Sequence, residues 1–219
     1  MNKINYQKEM EQIIGELQHR QTVPRLFLHS CCAPCSSYCI EYLSEYFEIT
    51  VFYYNPNIYP DEEYRHRAGE QQQFIRRFPA RHPVSFIEGS FDTEAFYRMA
   101  KGLENCPEGQ ERCFRCYELR LRETARMAVS CHADFFTTTL SISPMKNAQK
   151  LNETGIRLGL EYGIQYLPSD FKKRDGYKRS TQLSKEYGMY RQDYCGCVYS
   201  YRERQRSKAA AGNVLPDEH

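Results

Sequence analysis

Apolar positions along the chain switch between two spacings. From Ile4 to Leu17 they fall at 4, 6, 10, 13, 14 and 17, which places them on one face of a helix. Short apolar runs then take over. Arg25-Leu-Phe-Leu-His29 reads as a first strand that stops at Ser30-Cys31-Cys32, where Pro34 predicts a break before a helix over 36–47. Residues 49–54 predict a second strand, 55–60 a loop, and 61–78 a helix whose acidic opening suits the positive end of the helix dipole. A third strand at 84–87 leads into a helix with Asp92 as its N-cap. After a helix carrying Cys113 and Cys116, and beginning near Glu111, residues 133–140 read as a fourth strand. A short fifth, 165–167, follows a helix that ends near Gly163.

Strands that alternate with helices imply right-handed crossovers and a parallel sheet. The expected class is therefore α/β: a Rossmann-like (HUP-like) five-stranded parallel sheet with helices on both faces. The expected organisation is one α/β domain over 1–205, including the N-terminal helix, and a basic, disordered tail over 206–219. In such sheets ligands bind at the carboxyl ends of the strands, and the unusual polar sequences follow the strands. That rule brings Cys31, Cys32, Asn55, residues 137–143, Lys146 and Asp170 to one edge. With strand order 3-2-1-4-5, the switch point lies between strands one and four, beside Cys31 and Cys32.

Charge changes the picture by its placement. Thirty basic residues against twenty-eight acidic leave the 219-residue chain near neutral, which neither favours nor excludes nucleic acid. Basic residues nevertheless concentrate late, interleaved with aromatics, at 171–179 and 199–208. Lys and Arg neutralise phosphates while Tyr and Phe stack on unpaired bases, which suits loop RNA. Lys172, Lys173, Arg174, Lys178 and Arg179 are the candidate phosphate contacts, with Lys146 as another. No apolar run is long enough to span a bilayer and the first ten residues lack the core of a signal peptide, so a cytoplasmic protein with no membrane partner is expected.

Seven of the ten cysteines fall into three groups, Cys31-Cys32-Ala-Pro-Cys35, Cys113-Phe-Arg-Cys116 and Cys195-Gly-Cys197. In a reducing cytosol such groups point to metal or redox chemistry rather than to structural disulfides. Cys31 and Cys32 sit where a strand gives way to a helix, whose positive end favours thiolates. Cys113 and Cys116 are three apart on a helix and share a face. The two pairs offer a four-thiolate site. Adjacent cysteines chelate a single ion poorly, so an iron–sulfur cluster is favoured over one zinc. Cys195 and Cys197 are too close for a relaxed disulfide, which makes them a labile dithiol able to pass two electrons. Cys39, Cys106 and Cys131 lack paired spacing and read as packing or surface residues. His29 ends a strand beside the thiols and is a candidate proton carrier. Asp170, after the last strand, is a candidate metal ligand or proton relay.

Five motifs now stand in order: LHSCCAPC at 28–35, YYNPNIYP at 53–60, RCFRCYELR at 112–120, FTTTLSISP at 136–144 and YRQDYCGC at 190–197. Together they closely resemble the cobalamin-independent epoxyqueuosine reductases, the QueH family, from about Arg25 to Tyr201. The resemblance implies reductive removal of the epoxide oxygen of epoxyqueuosine at the wobble base of tRNA, with the anticodon stem-loop as macromolecular partner and a separate, unidentified electron donor. It implies a [4Fe-4S] cluster on Cys31, Cys32, Cys113 and Cys116, and redox activity at Cys195 and Cys197. It also implies an additional mononuclear iron held by two cysteines and an aspartate, for which Cys35 and Asp170 are the candidates. The competing readings are a zinc-stabilised, non-catalytic RNA-binding module, an ATP-using tRNA-modifying enzyme and a simple thiol–disulfide oxidoreductase. The second lacks its glycine-rich phosphate loop, because Ser30-Cys31-Cys32 stands in that place. The third leaves the paired Cys113 and Cys116 and the basic aromatic stretches unexplained.

Overall fold

Alternation within the strands sorts the interior into two layers. In a computed structural model, which describes residues 4–212, β1 (Arg25–His29) sends Leu26 and Leu28 to one face and Phe27 to the other. β2 (Glu48–Tyr53) does the same with Ile49 and Val51 against Phe52, and β4 (Phe135–Thr138) with Phe135 against Phe136. The first layer packs against α1 (Tyr6–His19), α2 (Ala33–Leu43) and α3 (Asp61–Arg77) through Met10, Ile14, Ile40, Leu43 and Phe74. The second packs against α5 (Glu111–Ser130) and α6 (Ala148–Tyr162) through Leu121, Ala125, Leu151 and Leu158. Both faces are therefore covered, as an all-parallel sheet requires.

The sheet order is β3-β2-β1-β4-β5, with β3 at Val84–Glu88 and β5 at Gln165–Tyr166, and every pairing is parallel. The α/β class, the five strands and their order agree with the pattern of the sequence. β1 lies between β2 and β4, so the chain reverses its winding direction beside the loop that carries Cys31 and Cys32. Local chemistry sets the helix starts. Asp92 caps α4 (Thr93–Ala100) by accepting from Ala95 N at 3.1 Å, and Asn147 caps α6 by accepting from Lys150 N at 3.0 Å. α6 closes on Gly163 at φ +68°, a left-handed position that suits glycine.

Three boundaries differ from expectation. α2 starts at Ala33, not at 36, because Pro34 occupies the first turn, where its missing N–H costs nothing. The fourth strand is shorter than 133–140, since Thr139–Ile142 turns into a 3-10 helix once Thr138 Oγ1 accepts from Leu140 N at 3.1 Å. Two further helices, α7 (Gly176–Glu186) and α8 (Val198–Gly212), follow β5, and α8 continues through position 206. Of the tail expected over 206–219, residues 213–219 lie outside the described residues. Among the described residues no helix is long and apolar enough to cross a membrane.

Candidate active site at the strand ends

The early start of α2 builds the site. Cys32 is its N-cap in extended backbone and Cys35 stands on its first turn. Cys31, Cys32 and Cys35 thereby converge, with their sulfur atoms all within 4.8 Å of one another and those of Cys31 and Cys32 at 3.8 Å. Their loop is held from behind. Ser30 and Ser36 both donate to Gln71 Oε1, at 2.7 and 2.8 Å, and Asn55 Nδ2 donates to the Ser30 carbonyl at 2.8 Å. Hydrogen bonds from Cys32 and Cys35 hold Cys31 well below the usual thiol range, burial opposes this, and the Arg120 charge assists. Cys32 is pushed up to about 12 by giving its proton toward Cys31. From outside, Gln192 Nε2 donates to Cys32 Sγ at 3.0 Å.

The other two groups meet across a second, narrow cavity. Cys113 and Cys116 lie in the first turns of α5, and this cavity is lined by both of them together with Cys195, Cys197, Arg120 and Lys146. The CxC turn depends on Gly196 at φ +122°, where a Cβ would lie 3.1 Å from Arg67 Nη1 and 3.3 Å from Ile58. Lys146 Nζ donates to Cys195 Sγ at 2.7 Å. Burial works against the lysine charge, but Cys195 and Tyr117 outweigh it and keep Lys146 protonated. Beside this cavity opens a cleft of about 300 Å³ whose lining includes Cys31, Cys35, Lys146, Cys195, Tyr177 and Tyr194. All three cysteine groups thus border two adjoining spaces at the carboxyl ends of the strands.

Other expected residues have different fates. Lys146 touches a thiol of the site rather than standing free for a phosphate. Asp170 lines neither space; it pairs with Lys172 Nζ at 2.8 Å, and Lys172 also donates to the Ser141 carbonyl. Arg174 is engaged by Glu11, and Arg179 by Glu41 and Glu186, so three of the five late basic residues are tied into intramolecular pairs. Lys173 and Lys178 are exposed. His29 is buried and its pKa falls to about 3, first through burial and then through the Arg120 charge. Its Nε2 donates to the Tyr54 carbonyl at 3.1 Å, so Nδ1 accepts from Thr138 Oγ1 at 2.9 Å, and the ring is a neutral strut rather than a proton carrier. Cys39 is packed in the core.

Two groups of the site escaped sequence reasoning. Arg120 stands four residues after Cys116 on α5, a spacing that puts both on one face and offered the signal. Gln192 stands three residues before Cys195 in a segment without regular structure, where spacing carries no information.

The donor set suits a metal ion or a cluster: three converging thiols, one of them held well below the usual thiol range, beside four more on a shared wall. The unpartnered Arg67 Nη1 and Gln192 Oε1 add polar atoms buried at the same place. A family model described as epoxyqueuosine reductase QueH matches residues 26–203. Relatives of that name include one from Streptococcus pyogenes serotype M1, 44% identical over 200 residues that cover 90% of this chain and 78% of the relative. One from Staphylococcus epidermidis is 43% identical over 202 residues, covering 90% and 85%. One from Thermotoga maritima is 34% identical over 190 residues, covering 84% and 94%.

Proposed function

The chain belongs to the epoxyqueuosine reductase QueH family, and from that membership we propose that it is an oxidoreductase that converts epoxyqueuosine in the anticodon loop of tRNA to queuosine. The reaction takes two electrons and two protons. Both C–O bonds of the epoxide break, the ring alkene forms and the oxygen leaves as water. The observation that carries this reading is the convergence of Cys31, Cys35, Cys195 and Lys146 on one cleft large enough for a modified base.

Cys31, Cys32, Cys113 and Cys116 are the proposed ligands of a [4Fe-4S] cluster, and Cys35 the ligand left for an additional iron. Groups bound there would supply single electrons and a Lewis-acidic metal. Asp170, committed to Lys172, is no part of this proposal. Lys146 presents an ammonium to the cleft, where it holds Cys195 and offers a proton toward a substrate oxygen. Cys195 and Cys197 form the dithiol that passes electrons from an external donor. Tyr177 and Tyr194 supply aromatic walls against which a base stacks. The RNA backbone runs over the exposed Lys173 and Lys178 and along α8, where Arg202 and Arg206 are exposed and four residues apart.

The test is anaerobic incubation of iron- and sulfide-loaded protein with a low-potential reductant and an epoxyqueuosine-bearing stem-loop, followed by mass analysis of the nucleosides. Loss of one oxygen is expected. A loaded, reduced protein that leaves the epoxide intact overturns the reading.

A further inference from the structure

Arg120 is 2% exposed, yet among the described residues no carboxylate pairs with it. Its hydrogen bonds go to neutral oxygens, Nη1 to Asn55 Oδ1 at 3.3 Å and Nε to the Cys116 carbonyl at 3.4 Å. A guanidinium cannot shed its proton in a protein, and an uncompensated buried charge costs several kcal/mol. The groups around it able to carry a counter-charge are thiols: Arg120 lines the narrow cavity together with Cys116 and Cys195, and its charge also reaches Cys31. One member from each of the three cysteine groups therefore answers to this single cation. Arg67, the other buried guanidinium near the site, has Glu63 2.7 Å away.

We propose that Arg120 is a positioning residue for the redox chemistry, whose unshared buried charge raises the reduction potential of the electron-accepting group held by the surrounding thiolates. The inference rests on reading the site as a thiolate-bound iron–sulfur centre. An added electron makes that centre more negative, and a fixed cation in a low-dielectric interior stabilises the reduced form more than the oxidised one. Its neighbours in the fold make the effect local. Asn55, which accepts from Arg120, also braces the Cys31 loop through Ser30, so one side chain ties the charge to the thiol loop.

The experiment compares wild type, Arg120→Met, Arg120→Lys and Asn55→Asp after anaerobic loading with ferrous iron and sulfide. Iron and sulfide content is measured first, then the midpoint potential by a titration followed in the visible and by electron paramagnetic resonance. Arg120→Met removes the charge. Asn55→Asp leaves it in place but sets a carboxylate against Nη1, at the cost of the bond to Ser30. Both are expected to disfavour reduction at least tenfold, 59 mV for a one-electron couple. Arg120→Lys keeps the charge and loses the planar fork, so it is expected to stay within threefold of wild type while its thermal stability falls. A purely structural Arg120 would lower stability in all three variants without moving the potential. If Arg120→Met does not fold, Asn55→Asp against Arg120→Lys carries the comparison. Equal loading with potentials within threefold throughout overturns the role of Arg120. Wild-type protein that takes up neither iron nor sulfide overturns the reading of the site, and this inference with it.

Discussion

Arg112 fixes the start of the helix that carries Cys113 and Cys116, and its replacement is the most direct test of how the second thiol pair is held. Its side chain is 2% exposed. Nη1 faces three carbonyl oxygens of the loop before α5, those of Leu103 at 3.1 Å, Glu104 at 3.0 Å and Cys106. Its Cζ also stands 4.3 Å from the centroid of Tyr199 on α8. One nitrogen carries two hydrogens, so about two charged hydrogen bonds are made at a time, each contributing about 1.5–3 kcal/mol. A desolvated cation–π contact adds about 2 kcal/mol. Water reaching the freed carbonyls returns part of that sum. Arg112→Met is then expected to cost about 3–5 kcal/mol, and Arg112→Lys, which keeps a cation but not the flat stack, about 1–2 kcal/mol. Urea unfolding measures the cost, and hydrogen exchange over 101–110 locates it, because the freed loop is expected to exchange faster before the core does. Epoxide reduction should fall in the same order as Cys113 loses its fixed position. An Arg112→Met protein within about 1 kcal/mol of wild type, or with unchanged exchange in that loop, would refute the reasoning.

Three further outcomes are expected. His29 has a folded pKa of about 3 against about 6.5 unfolded, so the unfolded chain binds the extra proton between those values; stability rises with pH across that window and is level above it. Lowering the pH from 6.5 to 5 should remove about 1.6 kcal/mol that His29→Gln does not lose, and urea transitions with the same pH slope in both proteins would count against it. Reversing Arg202 and Arg206 to Glu should weaken stem-loop binding and flatten its dependence on log salt by about 0.7–0.9 per lost contact, whereas an unchanged slope would remove α8 from the interface. Gly196→Ala should cost about 1–3 kcal/mol and slow turnover by shifting Cys195 away from Lys146, since its Cβ meets Arg67 and Ile58 at a φ that favours glycine; wild-type stability and turnover would falsify this.

What the sequence made legible follows periodicity and caps. The strands stand out cleanly enough that the five runs and the parallel α/β class could be read, while their order entered only as a condition, and Asp92 announced its helix because an N-cap is a local signal. Pro34 misled because a proline both ends helices and begins them, and only the loop geometry decides which. The cysteines were visible as groups, but the approach of Cys35 to Cys31 depends on where α2 starts, a tertiary fact. The basic stretch at 171–179 read as a phosphate surface from composition. The structure gives Lys172, Arg174 and Arg179 to Asp170, Glu11 and Glu41, and two of those acids come from α1 and α2, which no local window at 171–179 contains. The Asp170–Lys172 pair is local, two residues apart, but composition alone does not announce it.

Near-neutral composition hid the main electrostatic feature of the site. Net charge sums the surface with the interior, and the surface pairs cancel: Glu111 with Arg115, Glu118 with Arg157, Arg122 with Glu161. Exposed pairs of that kind contribute about 0–1 kcal/mol each and leave no field at the strand ends. Inside, the balance is different. Cys32 feels Arg67, Cys31 and Cys116 both feel Arg120, and Cys195 is touched by Lys146, so cations reach all three cysteine groups and Arg120 is shared between them. Hydrogen bonding to Cys31 raises Cys32 and Cys35, and burial raises Cys113, Cys116 and Cys197, so Cys31 is the thiol held low before any metal arrives, and the cost of burying Arg120 is met fully only when the sulfur around it is charged. The fold and the ligand set are therefore coupled through one side chain: the sheet positions the thiols, and the buried guanidinium decides the charge at which they are most stable.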